Sequence, residues 1–161
     1  MRIPYEQLQE EFSRVLSKYG FDGEQQALCS KLFAQASLDG VASHGLNRFP
    51  LFVDYLKNEY VVPNNRPKNI KSFGVFEQWD GQLGPGPNNG WYAMERAIEL
   101  SQGQGVGIVA MRNTNHWMRG GNFGWQAAEA GCIGICWSNT KPNMPAWQTK
   151  HNVLGNNPLI I

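Results

Sequence analysis

Long apolar runs, an excess of one charge and paired cysteines are all missing from this 161-residue chain. No stretch of 18 or more apolar residues occurs, which argues against a membrane-spanning helix. Lysine and arginine number 14 against 13 aspartates and glutamates, so the basic stripe typical of nucleic-acid-binding proteins is not expected. The first residues turn polar and acidic without the apolar stretch of a signal peptide, and we therefore expect a cytoplasmic protein.

Three cysteines are too few for a disulfide framework. Cys29 falls on the apolar face of a predicted helix. Cys132 and Cys136 share one face of a predicted strand, where they would lie about 13 Å apart. This separation is too long for a bridge or a shared metal ion. We expect all three to be small buried hydrophobic residues, and we predict no metal site.

Common phosphate and metal motifs are missing as well. The sequence contains no Walker lysine motif, no His-Glu-x-x-His and no Cys-x-x-Cys. The glycine-rich segment 84–90 includes two prolines, which lack the amide hydrogens that a phosphate cradle uses. Segment 103–107 precedes a predicted strand, whereas the dinucleotide fingerprint follows one. The sequence therefore does not predict a Rossmann fold.

Helical periodicity is present over the first sixty residues. Apolar residues recur on one face of three predicted helices, at about 4–19, 22–38 and 46–58. Asp22 followed by Gln25 resembles a capping box at the start of the second helix. The turn-rich segment 62–68 ends this unit, so we predict a helical domain over residues 1–67.

Residues 68–161 predict a second domain in which strands and helices alternate. Asn88 or Asn89 is expected to cap a helix that ends at Gly103. The other predicted elements are a strand and turn at 70–79, strands at 105–111, 132–137 and from 153 onward, and a short helix at 121–130. The last apolar run reaches Ile161 with no turn or polar tail. We therefore expect a longer natural polypeptide, of which this sheet domain is the first part.

His44 and Arg48 form the first candidate site. They follow the second predicted helix, and a helical i,i+4 spacing would place them on one face. A guanidinium grips a carboxylate with two hydrogen bonds, and an imidazole exchanges protons near neutral pH. The alternative is a helix-capping histidine beside a surface arginine.

Residues 113–125 form the second candidate site, directly after a predicted strand. Asn115 and His116 can bind polar groups there, with Trp117 and Trp125 as walls of a pocket. The alternative is a tightly packed glycine-rich turn with a structural histidine. Two further polar segments, 138–147 and 155–158, are expected to line the same cleft.

Five stretches along the chain carry a more specific signal: Ser43–Phe49, Asn115–Gly121, Gly124–Glu129, Gly134–Asn139 and Gly155–Leu159. Together they resemble the type 2 malate/L-lactate dehydrogenase family of NAD(P)-dependent oxidoreductases. Within this family, the sequence His-Trp-Met-Arg-Gly-Gly at 116–121 resembles the members that reduce 2,3-diketo-L-gulonate. Asn156 departs from the family pattern, where threonine is common, and so does Gln148-Thr149, where a small glycine-rich pair is common.

The resemblance implies an α+β fold. A helical N-terminal domain would precede part of a mainly antiparallel-sheet, non-Rossmann nucleotide-binding domain, and two copies would form a homodimer. It implies that NAD or NADP exchanges a hydride with a 2-oxo or 2-hydroxy acid. His44 would donate the proton, Arg48 would orient the substrate carboxylate, and Asn115 with His116 would complete the polar pocket. Most cofactor contacts are expected beyond Ile161.

We therefore expect an NAD(P)H-dependent reductase that converts 2,3-diketo-L-gulonate to 3-keto-L-gulonate. A malate, lactate or ureidoglycolate dehydrogenase of the same family is one alternative. A truncated fragment without activity of its own is another. A metal hydrolase that uses His44, His116 and His151 is a distant third. No nucleic-acid or membrane partner is expected.

Overall fold

The computed structural model describes residues 2–161, which form a mixture of helices and sheets. The helices are α1 (Tyr5–Lys18), α2 (Gly23–Leu38), α3 (Phe49–Lys57), α4 (Gly86–Gln104) and α5 (Gly121–Glu129). The strands are β1 (Lys68–Phe73), β2 (Phe76–Asp80), β3 (Ile108–Arg112), β4 (Cys136–Trp137), β5 (Met144–Pro145), β6 (Asn152–Leu154) and β7 (Leu159–Ile160). The predicted combination of helices with sheet is confirmed, and the division into two domains stays a prediction.

Phenylalanine side chains hold the three N-terminal helices together. Phe12 from α1 lies 4.3 Å from Phe49 at the start of α3, and Phe33 from α2 lies 5.0 Å from Phe49, measured between ring centroids. All three rings are buried. Each contributes about 1.5–3 kcal/mol through burial. Met118, from the segment after β3, packs into the same cluster and so joins that segment to the helices.

The predicted helix caps are only partly confirmed, because Asp22 occupies the N-cap position of α2 without a capping hydrogen bond and α4 begins at Gly86, before Asn88 and Asn89. Asp22 precedes α2 but makes no side-chain cap. Gln25 instead donates to the Tyr92 hydroxyl and accepts from the Asn88 amide, which ties α2 to α4. Asn88 and Asn89 lie inside the first turns of α4 and are completely buried. Gln25 and Asn88 therefore connect α2 to α4, whereas Asn89 donates to the Gly81 carbonyl oxygen and to the Thr114 hydroxyl.

The main sheet has the order β1-β2-β3. β1 and β2 form an antiparallel hairpin, whereas β2 and β3 run parallel and are connected through α4. A parallel pair needs such a crossover connection. The pairs β4–β7 and β5–β6 are antiparallel. Three of the four strand pairings within residues 2–161 are thus antiparallel. The β1-β2-β3 sheet is mixed, because it contains one antiparallel and one parallel pair.

The strand predicted at 132–137 is shorter than expected and begins only at Cys136. Gly134 lies against α5, where a Cβ atom would come within 2.8 Å of the Ala127 side chain, so this stretch packs on the helix before it joins a strand. The apolar run from 153 onward divides into β6 and β7.

All three cysteines are free thiols. Cys29 and Cys136 are buried, as predicted, but Cys132 is only partly buried because it ends the exposed turn after α5. No helix within residues 2–161 is long and apolar enough to cross a membrane.

Candidate active site

A short connection between α2 and α3 carries His44 and Arg48. Ala42–His44 form a single 3-10 turn, Gly45 interrupts it, and α3 begins only at Phe49. The predicted helical i,i+4 spacing is therefore wrong, because no continuous helix joins the two residues. They are nevertheless neighbours. Burial and, second, the positive charge of Arg48 lower the pKa of His44 below its ordinary value.

Gly45 fixes this connection to the end of α2. A side chain at position 45 would collide with the Ser37 hydroxyl and would come within 2.9 Å of the Phe33 carbonyl oxygen. The Leu46 amide donates to the same Ser37 hydroxyl at 2.9 Å. Helix α2 thus sets the position of the backbone between His44 and Arg48.

The segment after β3 carries Asn115 and His116 and is held from two sides. The Asn115 side-chain amide donates to the Tyr60 carbonyl oxygen at 2.7 Å. On the other side, Gly86 at the start of α4 lies so close to the Asn115 and His116 carbonyl oxygens that no side chain fits there. Asn115 therefore positions the backbone of this segment, and its contact with a substrate stays a prediction.

His44 and His116 meet in space, with ring centroids 5.7 Å apart. The Met118 amide donates a hydrogen bond to Nδ1 of His116 at 2.9 Å, and Met118 has a positive φ of 63°. Burial first, then Arg48 and His44, lower the pKa of His116 to about 4. At neutral pH this ring is therefore uncharged and carries its hydrogen on Nε2.

Arg48 is a cation for which residues 2–161 supply no anionic partner. Its Nε atom is buried and makes no hydrogen bond within residues 2–161. None of the ion pairs in this part of the chain includes Arg48. The buried Nε is out of reach of a ligand, and the terminal Nη groups of the guanidinium are the donors suited to an anion that supplies acceptors. This burial disfavours the alternative of a surface arginine.

The other residues of segment 113–125 contribute less than expected. Trp117 packs against Phe123, with ring centroids 5.7 Å apart. Trp125 is 62% exposed within the described chain, and its place as a pocket wall stays a prediction. Arg119 forms an ion pair with Asp39 and thereby joins α5 to the end of α2.

The later polar segments contact each other. The Asn157 side-chain oxygen accepts from the Thr140 amide at 2.8 Å. Their place beside His44 stays a prediction. His151 is exposed, and no group of three metal-ligating His, Cys, Asp or Glu side chains occurs in the described chain.

Two contributors to the site were missed from the sequence. The Ser43 hydroxyl lies 2.9 Å from Nδ1 of His44, and the Met118 amide binds His116. Ser43 stands next to His44 in the sequence, so its role was available as a hypothesis. The Met118 contact had no signal, because methionine has no preference for a positive φ.

A family model described as malate/L-lactate dehydrogenase matches residues 3–161. The chain belongs to this family. It is 49% identical, over all 161 residues, to 2,3-diketo-L-gulonate reductase from Escherichia coli K12 / DH10B and from Escherichia coli O1:K1 / APEC. It covers 48% of each of these relatives, so the chain spans about half the length of the curated relatives it matches. The resemblance predicted from the sequence is confirmed.

Solved structures of malate/L-lactate dehydrogenase relatives have the same fold over this region. Malate dehydrogenase from Entamoeba histolytica superposes with a TM-score of 0.93 at 32% identity, over 99% of this chain and 44% of that one. Sulfolactate dehydrogenase from Methanocaldococcus jannaschii gives 0.92 at 35% identity, over 99% of this chain and 46% of that one.

The glycine-containing starts of α4 and α5 do not fit the phosphates of a dinucleotide. Gly86 at the start of α4 faces carbonyl oxygens, and Pro85 and Pro87 lack amide hydrogens. At the start of α5, a Cβ atom on Gly120 would lie 2.6 Å from the Ile160 side chain, so that end is also closed. Neither of these two helix starts therefore offers a phosphate cradle.

Proposed function

We propose that His44, Arg48 and His116 bind a 2-oxo acid, which the full-length protein reduces with NADH or NADPH. One observation carries this proposal: a guanidinium that forms no ion pair within residues 2–161 lies beside two imidazoles with lowered pKa values. A carboxylate satisfies the guanidinium, and the adjacent carbonyl oxygen is an acceptor for imidazole hydrogens.

The chemistry follows from these contacts. Arg48 holds the carboxylate and thereby orients the neighbouring carbonyl group. As a hydride adds to the carbonyl carbon, the oxygen gains an electron pair and takes a proton from His44, which leaves an alcohol and a neutral imidazole. His116, with Asn115 beside it, completes the polar pocket. The nicotinamide cofactor, when bound, supplies the hydride.

The preferred substrate we propose is 2,3-diketo-L-gulonate, with 3-keto-L-gulonate as the product. The 49% identity to the Escherichia coli reductases supports it, compared with 32% and 35% for the malate and sulfolactate dehydrogenases. The malate, lactate and ureidoglycolate reactions are the alternatives. A substrate panel followed by NADH and NADPH absorbance tests all of them. Faster turnover of another 2-oxo acid would contradict the substrate assignment.

A homodimer in the cytoplasm is the state we propose for the full-length protein, as the family resemblance implies. Light scattering of the purified protein and fractionation of cells test these two points. The alternative of an inactive fragment predicts that the 161-residue chain neither binds NADH nor oxidises it. A cofactor titration of this chain, in parallel with the full-length protein, distinguishes an inactive fragment from a chain that binds the cofactor.

A further inference from the structure

We propose that the two imidazoles divide two tasks. His116 stays neutral and donates a hydrogen bond to the bound acid, whereas His44 takes up a proton from solvent as a carboxylate binds to Arg48. The inference rests on the proposed 2-oxo acid site and specifies the protonation of its free and occupied states.

The surroundings of His116 oppose its protonation. The Met118 amide donates to Nδ1 over a nitrogen–nitrogen distance of 2.9 Å, so a hydrogen on Nδ1 would collide with the amide hydrogen. The amide is not free to turn away, because the Met118 side chain is 4% exposed and packs into the phenylalanine cluster. Nε2 is therefore the nitrogen that carries hydrogen, and it is the one left to serve a ligand.

The surroundings of His44 allow either protonation state. Its Nδ1 lies 2.9 Å from the Ser43 hydroxyl, which can donate to Nδ1 when that atom carries no hydrogen and accept from it when it does. The proton that the substrate receives then comes from Nε2, and the ring keeps its Nδ1 hydrogen on Ser43.

The charges around His44 and His116 make the protonation of His44 depend on whether a carboxylate is bound. Arg48 acts on both His44 and His116, His44 acts in addition on His116, and no carboxylate of the described chain is among the groups that act on either ring. In the free site, Arg48 therefore disfavours a second positive charge. A carboxylate bound to Arg48 reverses this, because its negative charge stabilises an imidazolium.

The expected proton uptake is large enough to measure. An ordinary histidine has a pKa of about 6.5, so a lowered pKa leaves at most about a tenth of His44 charged at pH 7.5. If a bound carboxylate raises the pKa of His44 to the solution pH or above, about 0.4 protons or more are taken up per ligand.

Calorimetry tests this proton uptake directly. Oxamate, which has a carboxylate next to a carbonyl carbon, is titrated into the full-length protein with saturating NADH at pH 7.5. Phosphate and Tris buffers, which differ in ionisation enthalpy, give the number of protons bound. We expect uptake in the wild type and in His116→Asn, which keeps an acceptor for the Met118 amide. We expect none in His44→Asn.

Histidine 15N chemical shifts provide a second readout that needs no variant. We expect His116 to keep its hydrogen on Nε2 with and without oxamate, and the pKa of His44 to rise when oxamate binds. Uptake that persists in His44→Asn and disappears in His116→Asn overturns the assignment, as does a hydrogen on Nδ1 of His116. If oxamate binds without proton uptake, the proposed protonation of His44 on binding is overturned, whereas the neutral state of His116 is not. No oxamate binding contradicts the proposed function, and the 15N shifts still decide the state of His116.

Discussion

His44 and His116 lie 5.7 Å apart between ring centroids, although α3, β1, β2, α4 and β3 separate them in the sequence. The first belongs to the connection after α2 and the second to the segment after β3. Arg48 acts on both rings through its charge. The candidate site is therefore assembled by the tertiary fold rather than by one local motif.

Replacement of His44 tests its role as the proton donor. His44→Asn keeps a polar side chain beside Ser43 but cannot donate a proton to the developing alkoxide. We expect kcat of the full-length protein to fall by about 100-fold or more. NADH absorbance with 2,3-diketo-L-gulonate measures it. His151→Asn, which changes an exposed histidine, is the matched control, and near-normal kcat in His44→Asn would contradict the role.

Replacement of Arg48 tests carboxylate binding and the cost of its unpaired Nε. Arg48→Met removes a charge-assisted pair of hydrogen bonds, so we expect oxamate affinity to fall by about 10- to 100-fold. We also expect the free protein to become more stable, by about 1 kcal/mol, because a buried donor without a partner is removed. Calorimetry and urea unfolding measure the two effects. Unchanged affinity would exclude Arg48 from the site.

The pH dependence of stability tests the neutral state of His116. Its pKa is about 4 in the folded chain and about 6.5 when unfolded, so between these values the unfolded chain binds more protons. The contribution of His116 to the free energy of unfolding is therefore fully present above pH 6.5, and it is lost as the pH falls toward 4.

The loss amounts to at most about 3 kcal/mol, and to less where solvent screens the ring. His116→Asn should lack this part of the acid sensitivity, whereas His151→Asn should retain it. Urea unfolding between pH 7.5 and 4 measures the difference. Equal slopes in His116→Asn and the wild type would show that the ring titrates normally.

Two glycines of α4 provide a matched test of packing. A Cβ atom at Gly90 would collide with the buried Phe123 ring, whereas nothing lies within 4 Å of one at Gly103. We expect Gly90→Ala to destabilise the protein by about 1–3 kcal/mol through overpacking. Gly103→Ala should stabilise it by up to about 1 kcal/mol through helix propensity. Urea unfolding measures both, and a stabilising Gly90→Ala would refute this packing of α4 on α5.

The three N-terminal helices were predictable because apolar spacing dominates their sequence. The predicted ranges 4–19 and 22–38 differ little from Tyr5–Lys18 and Gly23–Leu38. The helix caps were not predictable, since Gln25 and Asn88 are as suitable for capping as for the contact they make with each other. Which contact wins depends on the approach of α2 to α4, which no local pattern encodes.

The candidate site was predicted in its residue types but not in its geometry. The chemistry of His44 and Arg48 pointed to an acid, yet Gly45 interrupts the helix on which the spacing depended. The orientation of His116 follows from the backbone of Met118, and methionine gives no sign of a positive φ. The roles of these residues toward a substrate remain predictions that the experiments above decide.

The parallel pairing of β2 with β3 also has a consequence for the order of unfolding. Helices α1 and α2 pack on each other as sequence neighbours, whereas β2 and β3 pair across the whole of α4. If this long-range pairing opens first, His116 leaves Arg48 while the helices persist. A gently denatured sample would then keep its helical circular dichroism after it had lost all affinity for the acid.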